Sequence, residues 1–465
     1  MSMRTIFVSL CLLVGCGSKT NPDVCCTDTA DCAAKGVPDG SVCSGGLVCR
    51  GNKCIAETCT TSAQCEAGAP FCGASMLCTA TCAMDSECPG FGGDSGNKFC
   101  ESGNCTECRD SNDCANPARA ICDAHSCRGC VADTDCDSGA CGANGVCVDA
   151  SSLLYLDPVG FDGGMCTQAA PCKTLTFALT KATPTRAVIS MSQGQYVEAV
   201  NLDATTTSAT SLEVHGHGAG LVPPTGQDSP SFRIGMGFSK VSIRDLTIGQ
   251  QQNNLPIASL LELTNVKIQG GVSVNAFAGL MGSNIEITGG DGAEVRGQFT
   301  VDHFTLRGTQ MFTALQIDSG ASVSATNLVV TGALYRCITL ASMTSGSISF
   351  ATVADCGMQE STDAAAIDCI GSNVVLQSSI VWSPGNATLP PVNGCNFAHM
   401  IIGPMAVAGS SNADPAFVDL AGHDLRLTAA SSAIDMIEAG PTTDIDGTLR
   451  PQGLRFDLGA YEYKP

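Results

Sequence analysis

The sequence predicts a mainly β chain, a right-handed parallel β-helix preceded by a disulfide-rich, loop-dominated repeat array. Three observations carry this. Of the 30 cysteines, 22 lie between Cys25 and Cys147. Beyond them, a polar residue followed by two apolar residues at i and i+2, with a glycine soon after, recurs five times from Asp245 to Gly332. Aromatic residues make up only 5% of the 465 residues while 44% are hydrophobic, so Val, Ile, Leu and Ala must fill the interior. That apolar fraction excludes a disordered chain. Lys+Arg 23 against Asp+Glu 44, a formal charge of -21, excludes a nucleic-acid binder, which needs surplus cations to neutralise phosphates.

Residues 1–15 carry one charge, Arg4, before the apolar run from Ile6 to Val14, too short to span a bilayer and shaped like a secretory signal. The run ends in Leu13-Val14-Gly15-Cys16, which resembles the lipobox of bacterial lipoproteins. The resemblance implies lipidation at Cys16 and a tether over 16–24. The non-acidic Gly17 implies an outer-membrane lipoprotein at the surface of a Gram-negative cell. Loss of residues 1–15 removes Arg4 alone, so the mature charge is 22 minus 44, or -22. An acidic chain is repelled by anionic lipid, so membrane contact would rest on the acyl chains.

The array, 25–150, resolves into five units of four cysteines. They open with Cys26/Cys32, Cys59/Cys65, Cys82/Cys88, Cys108/Cys114 and Cys130/Cys136, and close with Cys49/Cys54, Cys72/Cys78, Cys100/Cys105, Cys122/Cys127 and Cys141/Cys147. Cys25 and Cys43 supply a further pair. The residues between are Gly, Ser, Asp, Asn and Ala, which make no hydrophobic core, so disulfides and turns must hold each unit. Cys105-Thr-Glu-Cys108 and Cys127-Arg-Gly-Cys130 have zinc-ribbon spacing, but thiols of an exported chain oxidise, and disulfides are expected with no metal. The acidic residue before the second cysteine, Asp31, Glu87, Asp113 or Asp135, is replaced by Gln64 in one unit and reads as a turn residue rather than a calcium ligand. The units resemble the cysteine-rich repeats of surface proteins from myxobacteria and related bacteria. That resemblance implies a spacer or interaction module without catalytic residues.

The β-helix is expected over 151–400. Its motif reads Asp245-Leu246-x-Ile248, Asn265-Val266-x-Ile268, Asn284-Ile285-x-Ile287, His303-Phe304-x-Leu306 and Asn327-Leu328-x-Val330, with starts 20, 19, 19 and 24 residues apart. Period two places each apolar pair on one face, and a repeat near twenty residues is one coil of a solenoid. The leading polar residue then sits at a recurrent turn, where Asn and Asp tolerate unusual dihedrals and can bond to their neighbours above and below. Tyr155-Leu156-Asp157-Pro158 with Gly163, Pro171, Leu175, Ala178 and Leu179 is similar to the opening coil of pectate-lyase-like β-helices. That likeness implies a short capping helix at Leu175 and a loop closed by Cys166 and Cys172.

In the closing segment, 401–465, Asp414-Pro415-Ala416-Phe417, Ser431-Ser432-Ala433-Ile434-Asp435, Asp444-Ile445-Asp446-Gly447-x-x-Arg450-Pro451 and Asp457-Leu458-Gly459-Ala460-Tyr461-Glu462 follow one another. With Ser378-Ser379-Ile380-Val381-Trp382 ahead of them, they are similar to the bacterial choice-of-anchor Q domain. The match implies architecture rather than activity, with Arg450 and Tyr461 capping the solenoid.

Many β-helices of this outline are polysaccharide lyases or glycosidases, which need clustered carboxylates and, in lyases, a neighbouring cationic base. The candidates are Asp355, Asp363 and Asp368, with Arg336, amid Cys337, Cys356, Cys369 and Cys395. A coil near twenty residues sets Arg336 and Asp355 one coil apart. The competing reading is a turn-rich surface with two disulfides tying coils together. His215-Gly216-His217-Gly218 matches the GHG of polygalacturonase-like enzymes but stands ahead of the regular coils and reads as a strand and Gly turn. Asp444-x-Asp446-Gly447 opens like a calcium loop yet lacks its closing Glu. No cofactor is expected; calcium is the one ion the acidic turns suggest. The first expectation is a lipid-anchored surface protein with a structural or binding role toward polysaccharide or another surface protein. The alternatives are a lyase or glycosidase, and a spacer without ligand.

Overall fold

A computed structural model describes residues 48–50, 53–55, scattered positions within 59–96, and 98–465 apart from 203–206, 226–231, 235–236, 258–259, 275–278, 291, 310–312, 358–364 and 385–389. The chain divides into two compact units, the first ending at Val148 and the second spanning Asp149–Pro465.

The first unit is built as the cysteine spacing requires. Two-stranded antiparallel hairpins carry the closing cysteines opposite one another, Cys49 facing Cys54, Cys72 facing Cys78, Cys100 facing Cys105 and Cys122 facing Cys127. Three of the openings contain a single 3-10 turn: Asp85–Glu87, Ser111–Asp113 or Asp133–Asp135. Disulfides join first to third and second to fourth cysteine: Cys82–Cys100 with Cys88–Cys105, Cys108–Cys122 with Cys114–Cys127, and Cys130–Cys141 with Cys136–Cys147. Cys59–Cys72 follows the same order. Cys65 is disulfide-bonded too and packs beside Cys59 and Cys72. The second-to-fourth order would join it to Cys78, whose side chain lies outside the described residues. The disulfides expected of Cys49 and Cys54 fall outside them as well, as do Cys16, Cys25, Cys26, Cys32 and Cys43 altogether. The recurrent acid has a local role. Glu87 accepts from the Ala83 amide (2.6 Å), Asp113 from that of Arg109 (2.7 Å) and Asp135 from that of Val131 (2.9 Å). Each carboxylate thus satisfies amides that a one-turn helix leaves open.

Besides the short strands Gln195–Val197, Val200–Leu202 and Phe232–Ile234, the second unit has β1 (Leu153–Leu156), β2 (Val188–Met191), β3 (Ser211–Val222), β4 (Lys240–Ile257), β5 (Leu260–Val274), β6 (Gly279–Thr288), β7 (Ala293–Val295) and β8 (Gln298–Arg307). They continue as β9 (Thr313–Ile317), β10 (Ser322–Ala333), β11 (Arg336–Leu340), β12 (Ser345–Cys356), β13 (Ile367–Asp368), β14 (Asn373–Trp382), β15 (Val392–Asn393) and β16 (Asn396–Gly403). One parallel ladder runs β1-β2-β3-β4-β5-β6-β8-β10-β12-β14-β16. A second runs from the ends of β4 and β5 through the short strands β7, β9, β11, β13 and β15. This is a parallel β-helix. The helix α1 (Leu175–Leu179), capped by the Thr174 hydroxyl on the Phe177 amide (3.1 Å), covers its first coil, and Cys166–Cys172 closes the loop before it.

The recurrent polar residue is the corner of each coil. Asp245, Asn265, Asn284, His303 and Asn327 have φ of 53°, 54°, 53°, 53° and 51°, inside otherwise extended strands. Their left-handed backbone resets the inward phase, so that Phe299 and Val301 point into the core before the bend of β8, and Phe304 and Leu306 after it. The amides stack as the coils do: Asn265 Nδ2 donates to Asp245 Oδ1 (2.9 Å) and Asn284 Nδ2 to Asn265 Oδ1 (2.7 Å). The corner continues at Phe350, Ser378 and His399 (φ 51°, 53° and 52°), none of them an amide or acid. Close rung-to-rung approach explains two glycines. Gly282 (φ +142°) and Gly346 (φ +124°) would place a Cβ 1.7 Å from Leu263 O and 1.8 Å from Val323 O.

The segment after β16 turns back along the solenoid. It forms a small antiparallel pair, β17 (Phe417–Asp419) and β18 (Asp424–Leu427), and covers outward residues of the long strands. Val329 and Ala354 pack with Leu425, Ala460 and Tyr461, while Ile380 and Ile401 pack with Leu427, Ala433 and Leu458. The expectation that Arg450 and Tyr461 cap the solenoid is therefore corrected. Arg450 lies over the Phe350 ring (5.1 Å) and Tyr461 against Val329 and Ala354, both on its side wall, because the bent strands leave an apolar outer strip that needs cover.

Candidate functional site

The short strands alternate apolar residues that enter the core with a polar residue on the opposite side of the strand. Ala293 and Val295, Leu315 and Ile317, and Ile338 and Leu340 enter the core. Between them, register sets Glu294 beside Gln316, Gln316 beside Thr339, Thr339 beside Asp368 and Asp368 beside Asn393. The result is a polar row, one side chain per coil, with rungs about 4.8 Å apart. Asn393 Nδ2 donates to Asp368 Oδ1 (3.2 Å), and the Thr313 and Thr339 hydroxyls meet at 3.3 Å. Arg296 bridges Glu294 (2.6 Å) and Asp318 (3.0 Å), the latter also accepting from Gln316 (2.8 Å). Sequence reasoning missed this row, although its apolar-polar-apolar triplets, Ala293-Glu294-Val295, Leu315-Gln316-Ile317 and Ile338-Thr339-Leu340, are legible once the second ladder is known.

Of the four candidate catalytic residues, two come together. Arg336 Nη2 stands 3.7 Å from Asp368 Oδ2, and the Asp368 side chain is 4% exposed. Asp355 goes elsewhere: it faces His423 of the C-terminal segment (Oδ2 to Nδ1, 3.4 Å). The pairing of Arg336 with Asp355 is corrected, because Asp355 ends a long strand on the wall that the C-terminal segment covers, whereas Arg336 opens a short strand of the other ladder. Asp363 lies outside the described residues. His423 also meets Thr331 Oγ1 (3.2 Å), through the same Nδ1. A proton relay needs base and orienting acid on opposite ring nitrogens, so this trio is not one. The pair Cys337–Cys356 ties β11 to β12 and Cys369–Cys395 follows β13 and precedes β16, bracketing Arg336 and Asp368 with covalent links.

Other sequence candidates take structural parts. His215 lies 2.8 Å from Glu213 Oε1, which accepts, and Arg244 reaches both His215 (2.6 Å) and Glu213 (2.9 Å). His217 (φ 46°) and Gly218 (φ 80°) form the turn within β3. Asp444 is occupied by main chain: its Oδ1 accepts from Asp446 (3.0 Å) and Thr448 (2.6 Å), its Oδ2 from Glu462 (2.9 Å). Asp457 accepts from Asp435 and Tyr463, and Glu462 from Gln452 and Asp457. Burial pushes the carboxyls of Asp446, Asp457 and Glu462 up and the Arg450 guanidinium down. Asp444, Asp457 and Glu462 thus tie the loops of the C-terminal segment together. The sulfurs of Cys108, Cys114 and Cys127 lie within 4.8 Å of one another, as a metal site would require, but all three belong to disulfides.

Neither a protein-family model nor a curated protein matches the chain. It is similar in structure to pectate lyase Pel9A, seen in a crystal structure, with a TM-score of 0.42 and 11% identity over 68% of this chain and 99% of that one.

Proposed function

We propose that the protein is a lipid-anchored surface protein of a Gram-negative bacterium whose β-helix recognises a glycan or a surface partner, with the cysteine repeats as spacer. Lipidation at Cys16, outer-membrane location and a choice-of-anchor Q-type closing segment belong to this proposal and rest on the sequence patterns alone. The observation that carries the binding role is the polar row along the short strands, in which Glu294, Gln316, Thr339 and Asn393, around the buried Asp368, offer an extended polymer hydrogen-bonding groups on successive coils. Its test uses residues 17–465 made in an oxidising host against neutral and acidic polysaccharides. Saturable binding without products is expected, weakened about tenfold by Thr339→Ala with Gln316→Ala, the scale of one or two lost hydrogen bonds. Binding untouched by that variant places the site elsewhere.

The second reading is a lyase or glycosidase, favoured by Arg336 held beside the buried carboxylate of Asp368. New reducing ends or the absorbance of unsaturated uronates, abolished by Asp368→Asn and Arg336→Gln, would establish it. A spacer without ligand would show neither binding nor products.

A further inference from the structure

The polar row on the short strands has a charge balance of its own. Along β7, β9, β11, β13 and β15 and the turns that leave them, the charged residues are Glu294, Arg296, Asp318, Arg336 and Asp368, so 2 minus 3 gives -1. Both arginines are already engaged. Arg296 lies between carboxylates of successive coils, Glu294 Oε1 at 2.6 Å and Asp318 Oδ2 at 3.0 Å. The Glu294 hydrogen bond, helped by the Asp318 charge, holds its guanidinium above the ordinary value. Arg336 faces the buried Asp368 at 3.7 Å. The accessible positions between them are neutral: Gln316 and Asn393 are exposed, Thr339 is half-buried, and the Ser319 and Ser342 hydroxyls meet at 3.2 Å in the turns beyond.

A second feature lies beside the row. Met343 and Ile370 are 70% and 62% exposed. Ile370 follows Asp368 by two residues and Met343 follows Thr339 by four. The Met343 amide donates to Gly371 O (3.0 Å), which sets the two apolar side chains on adjoining coils. An exposed apolar pair beside neutral hydrogen-bonding groups suits a ring with C–H bonds on its face and hydroxyls on its rim, and offers nothing to a carboxylate. We propose that the row selects uncharged polysaccharide chains, with sugar rings against Met343 and Ile370 and hydroxyls on Gln316, Thr339 and Asn393, and rejects polyuronates. The inference rests on the reading of the row as a binding site and adds the class of polymer it takes. A polyuronate brings a carboxylate on every sugar to a row that holds Glu294, Asp318 and Asp368. An arginine could turn to the ligand only by leaving a carboxylate that it already holds, and like charges set against one another oppose binding. The excess of Asp+Glu 44 over Lys+Arg 23 in the whole chain adds repulsion of the same sign at longer range, screened by salt.

The test is titration calorimetry of the mature chain, residues 17–465, with β-linked gluco-, xylo- and mannohexaose and with hexagalacturonate at low salt, calcium first chelated and then supplied. The tightest neutral hexaose should bind about tenfold or more better than hexagalacturonate in both conditions, and the gap should narrow as salt is raised. Glu294→Gln with Asp318→Asn removes two carboxylates from the row and releases Arg296, and should raise hexagalacturonate affinity about tenfold. Met343→Ser with Ile370→Ser should weaken the neutral hexaose about tenfold at unchanged Tm, since both side chains already face water. Hexagalacturonate binding as tightly as the neutral sugars, with or without calcium, or unmoved by the loss of the two carboxylates, overturns the charge selection while the row stands as a binding site. Unaltered neutral affinity in the apolar variant overturns the placement of the sugar on Met343 and Ile370. Binding of neither class overturns the binding reading itself, and this inference with it.

Discussion

The two units of this chain reach order by opposite routes. Among the described residues of the first, the buried apolar groups are, Ala140 apart, the disulfides themselves: Cys108, Cys114 and Cys127 form one cluster, and Cys130, Cys136 and Cys141 another. In the second, one continuous core of Leu, Ile, Val, Ala and Phe runs from Leu154 to Ile402, and its cysteines are a minority within it. A unit of some twenty residues cannot bury enough side chain to offset its ordering entropy, so covalent links restrict the unfolded chain instead. A coil of similar length succeeds without them because the coils above and below complete its core. Stability in the array is thus a redox property, and in the solenoid a packing property.

Reduction should break the comparison most visibly. A thiol reductant at neutral pH is expected to abolish exchange protection in 101–147 while the amides of β4–β8 stay protected, read by mass spectrometry on peptides from each unit. Removing one pair, Cys114→Ala with Cys127→Ala, should cost about 2–5 kcal/mol locally. Loss of the solenoid in step with the array would refute the division. The reciprocal experiment is Phe304→Ala. Phe304 is fully buried and meets Phe299 edge to face at 5.5 Å. Its truncation should cost the solenoid about 3–5 kcal/mol, seen as a lower Tm, with disulfide-held protection in the array unchanged.

What could be read in advance follows the same division. The cysteine periodicity announced the units, but their connectivity needed the hairpins that set Cys100 opposite Cys105 and Cys122 opposite Cys127. Four of the first five corners were legible because Asn and Asp there have a chemical reason. The later corners at Phe350, Ser378 and His399 were not, since what sustains them is tertiary: Phe350, a poor residue for positive φ, is 6% exposed with Arg450 over its ring. The candidate site failed in the same way. Asp355 and Arg336 were grouped by sequence distance, yet a coil of this fold holds two ladders, and neighbours in sequence can face different walls. The contact between His303 and the Thr443 hydroxyl spans 140 positions, and no local motif carries it.

The corner stack separates packing from hydrogen bonding within the solenoid at a smaller scale. Asn284→Ala forfeits the bond to Asn265 and puts a non-glycine, non-amide residue at φ 53°. Together these should cost about 1–3 kcal/mol, well under the Phe304 truncation, with the loss in Tm confined to one transition. Asn284→Gly removes the same bond without the dihedral penalty, so the difference between the two variants isolates the strain of the corner. Lys267→Ala serves as the floor. Lys267 pairs with Glu286 at 3.1 Å across the same two coils, but its side chain is 69% exposed, and water and salt screen it. It should change stability by no more than about 0.5 kcal/mol. If it approached the Asn284 value, the order of the coils would owe as much to surface charge as to the corner, and the amide stack would lose its claim to set the register.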